Sequence, residues 1–240
     1  RACVASGANL VLVGRDDEHA KSASVLLGDS AVVLPADATL PQTAPAAIEA
    51  ALRAFGAFHG LYHVAGGSGR RMGDGPLHEI SDDGWDATLR LNLSSLFYSN
   101  RAAVQQFIRQ KSGGSILNLG SVLGFSPSPR FFATHAYAAA KSALVGFVKS
   151  TAAYYAPRQI RINALAPGLV DTPMAARAAA DTTIMNFISG KQPLDGGRIG
   201  KPEDLDAAVL FFLSDDSKFV TGQVLSIDGG WSVTEGQYPA

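Results

Sequence analysis

Short apolar runs alternate along this chain with longer stretches in which apolar side chains recur every three or four residues. The runs at 9–13, 31–34, 60–64, 115–119, 160–165 and 224–227 read as strands, and they lack the in–out alternation of a half-solvated sheet. The stretches at 17–27, 43–55, 82–110 and 203–213 read as helices, as does one that carries Tyr137 and Lys141 and runs to about Tyr155. Pro157 stops that helix. Strands that are apolar on both faces belong between two helical layers. The βα alternation therefore predicts one α/β domain, 1–240, built on a doubly wound parallel sheet. Only 172–201 breaks the rhythm. A long excursion of this kind predicts a functional loop, here a substrate lid.

Composition narrows the class. In 240 residues, 47% are hydrophobic and 17% charged, which fits a well-buried enzyme rather than a disordered chain. The formal net charge of −1 provides no field for nucleic acid or an anionic membrane, so neither is expected as a partner. The single Cys3 excludes an internal disulfide and a cysteine metal site, and the five histidines show no ligand spacing. No apolar run spans a bilayer, no signal peptide opens the sequence, and the expected compartment is the cytoplasm.

The chemistry centres on Tyr137 and Lys141. Four residues apart, they share one helix face. An ammonium beside a phenol favours the phenolate. Moving a Tyr from about 10 to about 7 requires roughly 4 kcal/mol of preferential phenolate stabilisation. Lys141 supplies part of that, and a cationic nicotinamide would supply more. The pair alone is a common coincidence. Ser121 and Asn92 ahead of it give it weight.

In order along the chain stand Asp37 after the second strand, Ala65-Gly66 after the third, Asn92 in the long helix and Ser121 after the fourth strand. Tyr137 and Lys141 follow, then Pro167-Gly168 with Thr172 after the fifth strand, and Asp228-Gly229-Gly230 after the last. This ordered set resembles the short-chain dehydrogenase/reductase family over essentially the whole chain. The resemblance implies a Rossmann fold and hydride transfer between a nicotinamide cofactor and a ketone or secondary alcohol. Tyr137 would be the general acid/base and Ser121 would hold the substrate oxygen. Lys141 would lower the Tyr137 pKa and hold the nicotinamide ribose. Asn92 would help hold a water linking Lys141 to solvent. Cofactor contacts would come from Arg15, Asp37, Ala38, Ala65, Gly66, Tyr137, Lys141, Pro167, Gly168, Val170 and Thr172, with Asp37 on the adenine amino group. Gly14 occupies the strand end where an acid would bind the adenosine ribose, and Arg15 follows, so NADP(H) is favoured over NAD(H). The counter-reading stacks Arg15 on adenine and gives the ribose to Asp16.

Three departures matter. The opening strand and Gly-rich turn of the family are missing, and residues 1–7 read as the tail of its first helix ending at a C-cap glycine. Gly67-Ser68-Gly69 does not replace that turn. The expectation is a fragment, or a chain with an omitted or disordered start; as a complete chain it would have a hole in its core and doubtful cofactor binding. His63 stands where the family places Asn, and is expected to be tolerated through bonds to backbone groups. Ser121 and Tyr137 are farther apart than usual, which predicts a lengthened pocket rim at 125–132. That rim would bring Phe125, Phe131, Phe132 and His135 near the substrate.

Leu123, Met174, Met185, Phe187 and Ile188, with the rim, suggest a pocket for a carbonyl or alcohol with an apolar body. Arg70 and Arg71 read as a solvated loop, with contact to an acidic substrate or carrier as the alternative. Reduction of a 3-oxoacyl thioester on a carrier protein is the neighbouring activity, and a non-catalytic dinucleotide-binding regulator the competing class. A homotetramer or homodimer is expected, pairing through the long helix and the Tyr137 helix, where Ala138–140, Ala143 and Ala152-Ala153 would allow close approach.

Overall fold

The computed structural model describes residues 1–237. Strands β1 (Leu10–Gly14), β2 (Ala31–Pro35), β3 (Gly60–His63), β4 (Gly114–Leu119), β5 (Ile160–Pro167) and β6 (Val224–Ile227) alternate with helices. These are α1 (Ala2–Ala5), α2 (Asp17–Leu27), α3 (Thr43–Phe55), α4 (Asp82–Leu89), α5 (Ser95–Gln110), α6 (His135–Tyr155), α7 (Ala176–Ala179), α8 (Thr182–Lys191) and α9 (Asp206–Leu213). Local chemistry sets the boundaries. Asp16 caps α2 by accepting the His19 N–H at 2.9 Å, and Ser81 caps α4 by accepting that of Gly84 at 3.0 Å. Gly56 ends α3 at a φ of 75°, a conformation glycine adopts without strain. Among the described residues no helix is long and apolar enough to cross a membrane.

Among the described residues every strand pair is parallel, in a four-stranded sheet of order β3-β4-β5-β6 and a separate two-stranded sheet β1-β2. Adjacent β4 residues serve opposite layers. Ile116 packs with Phe107 of α5, with Leu144 and Val148 of α6, and with Ile162. Leu117 packs with Leu165, Val209 and Phe212 beneath α9. This is the doubly wound arrangement that the unalternated strands predict.

Two expectations are corrected here. Among the described residues no ladder joins β1 to β3, so the strands form two separate sheets, in keeping with the expected gap in the core. In consequence β1 and β2 are only half-buried, where full burial was expected. The helix expected over 82–110 is also interrupted. A π-turn at Arg90–Ser94 separates α4 from α5 and carries Asn92. Such turns leave the i→i−4 register and recur at functional sites.

Candidate active site

Parallel strands carry their loops to one edge of the sheet. Arg15, Asp37, Ala38, Ala65, Gly66, Ser121, Gly168, Val170 and Thr172 all follow the C-terminal ends of β1 to β5, and Pro167 is the last residue of β5. That edge is where an open α/β sheet binds ligands.

Lys141 lies 4% exposed on α6, and its ammonium sits 5.6 Å from the centre of the Tyr137 ring. Its Nζ donates to the Leu119 carbonyl at 2.7 Å, and burial pushes its pKa down to about 8. Ser121 is buried and accepts the Leu123 N–H at 3.2 Å, and its hydroxyl acts to lower the Tyr137 pKa. Here an expectation fails. Burial raises the Tyr137 pKa above its ordinary value and the Ser121 hydroxyl only opposes that rise, so Lys141 does not bring the phenol toward neutrality.

Asn92 is buried, and its amide is engaged. Oδ1 accepts the Gly67 N–H at 3.0 Å, while Nδ2 donates to Gly67 O at 2.9 Å and Thr88 O at 3.0 Å. The side chain therefore anchors the loop after β3, and only one acceptor position of Oδ1 is left for the expected water. Gly66 must be glycine here, because a Cβ would stand 2.8 Å from Asn92 Oδ1 and 3.4 Å from Lys141 Nζ. Thr172 Oγ1 bonds Val170 O at 3.3 Å, and Val170 bridges to Gly200.

Arg15 Nη1 lies 3.8 Å from Asp37 Oδ2, with the Asp37 carboxyl held low chiefly by the Thr39 N–H. Asp16 caps α2 through one oxygen and stays exposed at the same strand end. His63 also departs from expectation. Its ring meets the hydroxyls of Ser95 at 3.4 Å and Ser99 at 2.9 Å, and burial with Lys141 nearby pushes it down to about 4.

The rim at 125–132 turns inward in part. Phe131 packs on Phe187 at 5.0 Å and Phe132 on Trp231 at 5.7 Å, while the Trp231 indole donates to Ser126 O at 3.2 Å. Phe125 and Met174 remain exposed, and His135 begins α6 exposed. Ile188 does not line a pocket. It is fully buried with Val122, Ala178, Ile184 and Trp231.

Two residues that sequence reasoning missed hold this site. Asp74, buried in the loop after β3, accepts the N–H of Ala136 at 3.0 Å and of Tyr137 at 2.9 Å. Gln192 accepts the Leu169 N–H at 2.6 Å and returns a bond to Leu169 O at 3.3 Å, fixing the segment after Gly168. Neither has a local signal, because both partners are distant in sequence.

A nicotinamide dinucleotide suits these residues. The Lys141 ammonium carries three donors and uses one, beside a glycine that keeps the approach open, so ribose hydroxyls would satisfy the remainder. Arg15 and Asp37 would hold the adenosine end.

A family model described as "Enoyl-(Acyl carrier protein) reductase" matches residues 1–232. The chain belongs to the short-chain dehydrogenase/reductase family. It is 34% identical to "Inactive 2-(S)-hydroxypropyl-CoM dehydrogenase 2" of Xanthobacter autotrophicus, over 96% of this chain and 97% of the relative. Among solved structures it resembles a 3-ketoacyl-(acyl-carrier-protein) reductase from Brucella melitensis complexed with NADH, at 27% identity and a TM-score of 0.83, over 97% of this chain and 91% of that one. It likewise resembles a gluconate 5-dehydrogenase from Burkholderia cenocepacia in complex with NADP and tartrate, at 29% identity and a TM-score of 0.86, over 96% and 88%. As a short-chain dehydrogenase/reductase, the chain is an NAD(P)-dependent oxidoreductase acting between keto and CH–OH groups.

Proposed function

We propose that Tyr137 is the general acid/base of this oxidoreductase and that Ser121 holds the substrate oxygen. The observation that carries the reading is the Lys141 ammonium 5.6 Å from the centre of the Tyr137 ring, with the Ser121 hydroxyl acting on the same phenol. The nicotinamide, when bound, supplies or accepts the hydride at the substrate carbon. Tyr137 Oη donates a proton to the carbonyl oxygen in reduction and takes it back in oxidation. Ser121 Oγ donates to the same oxygen and stabilises its developing charge. A phenol raised by burial stays protonated, which suits carbonyl reduction.

The finer readings rest on neighbouring observations. NADP(H) is preferred, because the exposed Arg15 guanidinium stands at the end of β1, where it can pair with a 2′-phosphate. Residues 172–201 form the substrate lid, because α7 and α8 lay Ala178, Ile184 and Ile188 over Val122, next to Ser121. A homotetramer or homodimer is supported by exposed Trp85 on α4, Phe97 and Ile108 on α5, Tyr154 on α6 and Leu225 on β6. Ala140 and Ala152 are already buried within the chain and contribute nothing to pairing, whereas Ala139, Ala143 and Ala153 remain exposed. The unpaired Cys3 thiol fits a reducing compartment such as the cytoplasm.

Tyr137→Phe tests the central role. It should lose at least about a hundredfold in turnover of ketones while binding NADPH as the parent does, read by cofactor fluorescence. Retained turnover would remove Tyr137 from the chemistry. Tighter binding of NADH than NADPH would remove Arg15 as a phosphate ligand.

A further inference from the structure

The loop after β3 and the lid each send a guanidinium to one point. Arg70 Nη2 and Arg177 Nη2 both donate to the Phe131 carbonyl, each at 3.2 Å. A carbonyl oxygen carries only a partial charge, so it does not neutralise the two exposed guanidinium groups that share it. Burial and the Arg177 charge lower the proton affinity of Arg70, and the Asp74 charge opposes them. Among the described residues neither guanidinium forms an ion pair. Asp74, the acid that acts on Arg70, has both oxygens bound to the N–H groups of Ala136 and Tyr137. Each guanidinium has five N–H donors, and each makes one of the bonds recorded here.

The location is equally specific. Arg70 and Asp74 belong to one loop, and Asp74 grips the turn that carries Tyr137. Phe131 lies on the rim and packs against Phe187 of α8, while Arg177 stands on α7. The two cations therefore meet where lid and rim close over the apolar cluster beside Ser121.

We propose that Arg70 and Arg177 form a subsite for an oxyanionic tail, a carboxylate or a phosphate-type group, on a substrate with an apolar middle and a ketone at the other end. The substrate class is thus an oxo acid or its phosphate counterpart. This rests on the assignment of Tyr137 and Ser121 to the reacting oxygen, and the test separates the two.

Calorimetric titration of hexanoate, hexylphosphonate and 1-hexanol into the parent, Arg70→Gln and Arg177→Gln proteins reads the subsite without turnover. Reduction of 5-oxohexanoate, 4-oxopentylphosphonate, 2-hexanone and methyl 5-oxohexanoate reads it in the reaction. The anions should bind the parent at least about tenfold tighter than either variant, and hexanol should show no difference. In turnover, kcat/KM for the anionic ketones should fall about 10- to 100-fold in each variant and stay level for the neutral ones. Carboxylate against phosphonate shows which oxyanion the pair prefers. Equal binding of charged and neutral probes overturns the subsite, as does an equal loss on neutral and anionic ketones, which would make the pair a mere lid clamp. Charge-selective, Arg-dependent binding with no ketone reduced would leave the subsite standing and remove the Tyr137 assignment.

Discussion

Asp74 offers the sharpest test of how this fold positions Tyr137. Its carboxylate, 6% exposed, accepts two backbone N–H bonds from the first turn of α6, at Ala136 and Tyr137. The first N–H groups of a helix have no partner within it, and Ala136 is fully buried, so water does not readily replace the carboxylate. A hydrogen bond to a charged acceptor contributes about 1.5–3 kcal/mol, and an anion at a helix N-terminus adds about 0.3–1 kcal/mol. Asp74→Ala should therefore destabilise the fold by about 3–7 kcal/mol. Asp74→Asn keeps one acceptor and should lose about half as much. Urea unfolding followed by far-UV circular dichroism, with an unchanged m-value, measures both, and the Ala variant should melt at a lower temperature than the parent. Ketone turnover should fall further in the Ala variant than in the Asn variant, because Tyr137 is the residue whose N–H is released. The reasoning fails if both variants unfold within about 0.5 kcal/mol of the parent. Equal losses in the two would assign the effect to charge rather than to the paired N–H bonds.

Two further outcomes follow from buried ionisable groups. Lys141, with a native pKa near 8 against an ordinary 10.5, disfavours the folded state while protonated, so stability rises as pH climbs from about 8 to 10.5. Lys141→Met should be inactive yet more stable at pH 7 by about 1–3 kcal/mol, with the gap closing toward pH 10; equal denaturation midpoints at pH 7 would contradict this. His63 falls from 6.5 to about 4 in the fold, so the unfolded chain binds the extra proton between those values and stability drops as pH falls through that window, by up to about 3 kcal/mol. His63→Asn should flatten that part of the stability–pH curve, and parallel curves for the two proteins would remove His63 as the cause.

The order of elements was legible in the sequence because it depends on local pattern. Helices at 17–27 and 43–55 and the strand at 224–227 stand where apolar spacing and caps place them. Ser121, Tyr137 and Lys141 were legible for a related reason: a strand end and two positions one helical turn apart fix their approach before any packing is known. Other features depend on groups far apart in the chain. The π-turn at Asn92 interrupts a pattern that reads as one continuous helix, and β1 and β2 are only half-buried because they pair with each other and not with β3. Asp74 looks like a loop acid until its loop meets α6, and Gln192 like a surface amide until it meets Leu169. The Tyr137 pKa shows the division most plainly. Sequence spacing put an ammonium beside the phenol, but burial, a property of the assembled fold, outweighs the neighbour and raises the pKa. Arg70 and Arg177 are 107 positions apart and carry no shared motif; only the closing of the lid onto the rim gives them one carbonyl to share.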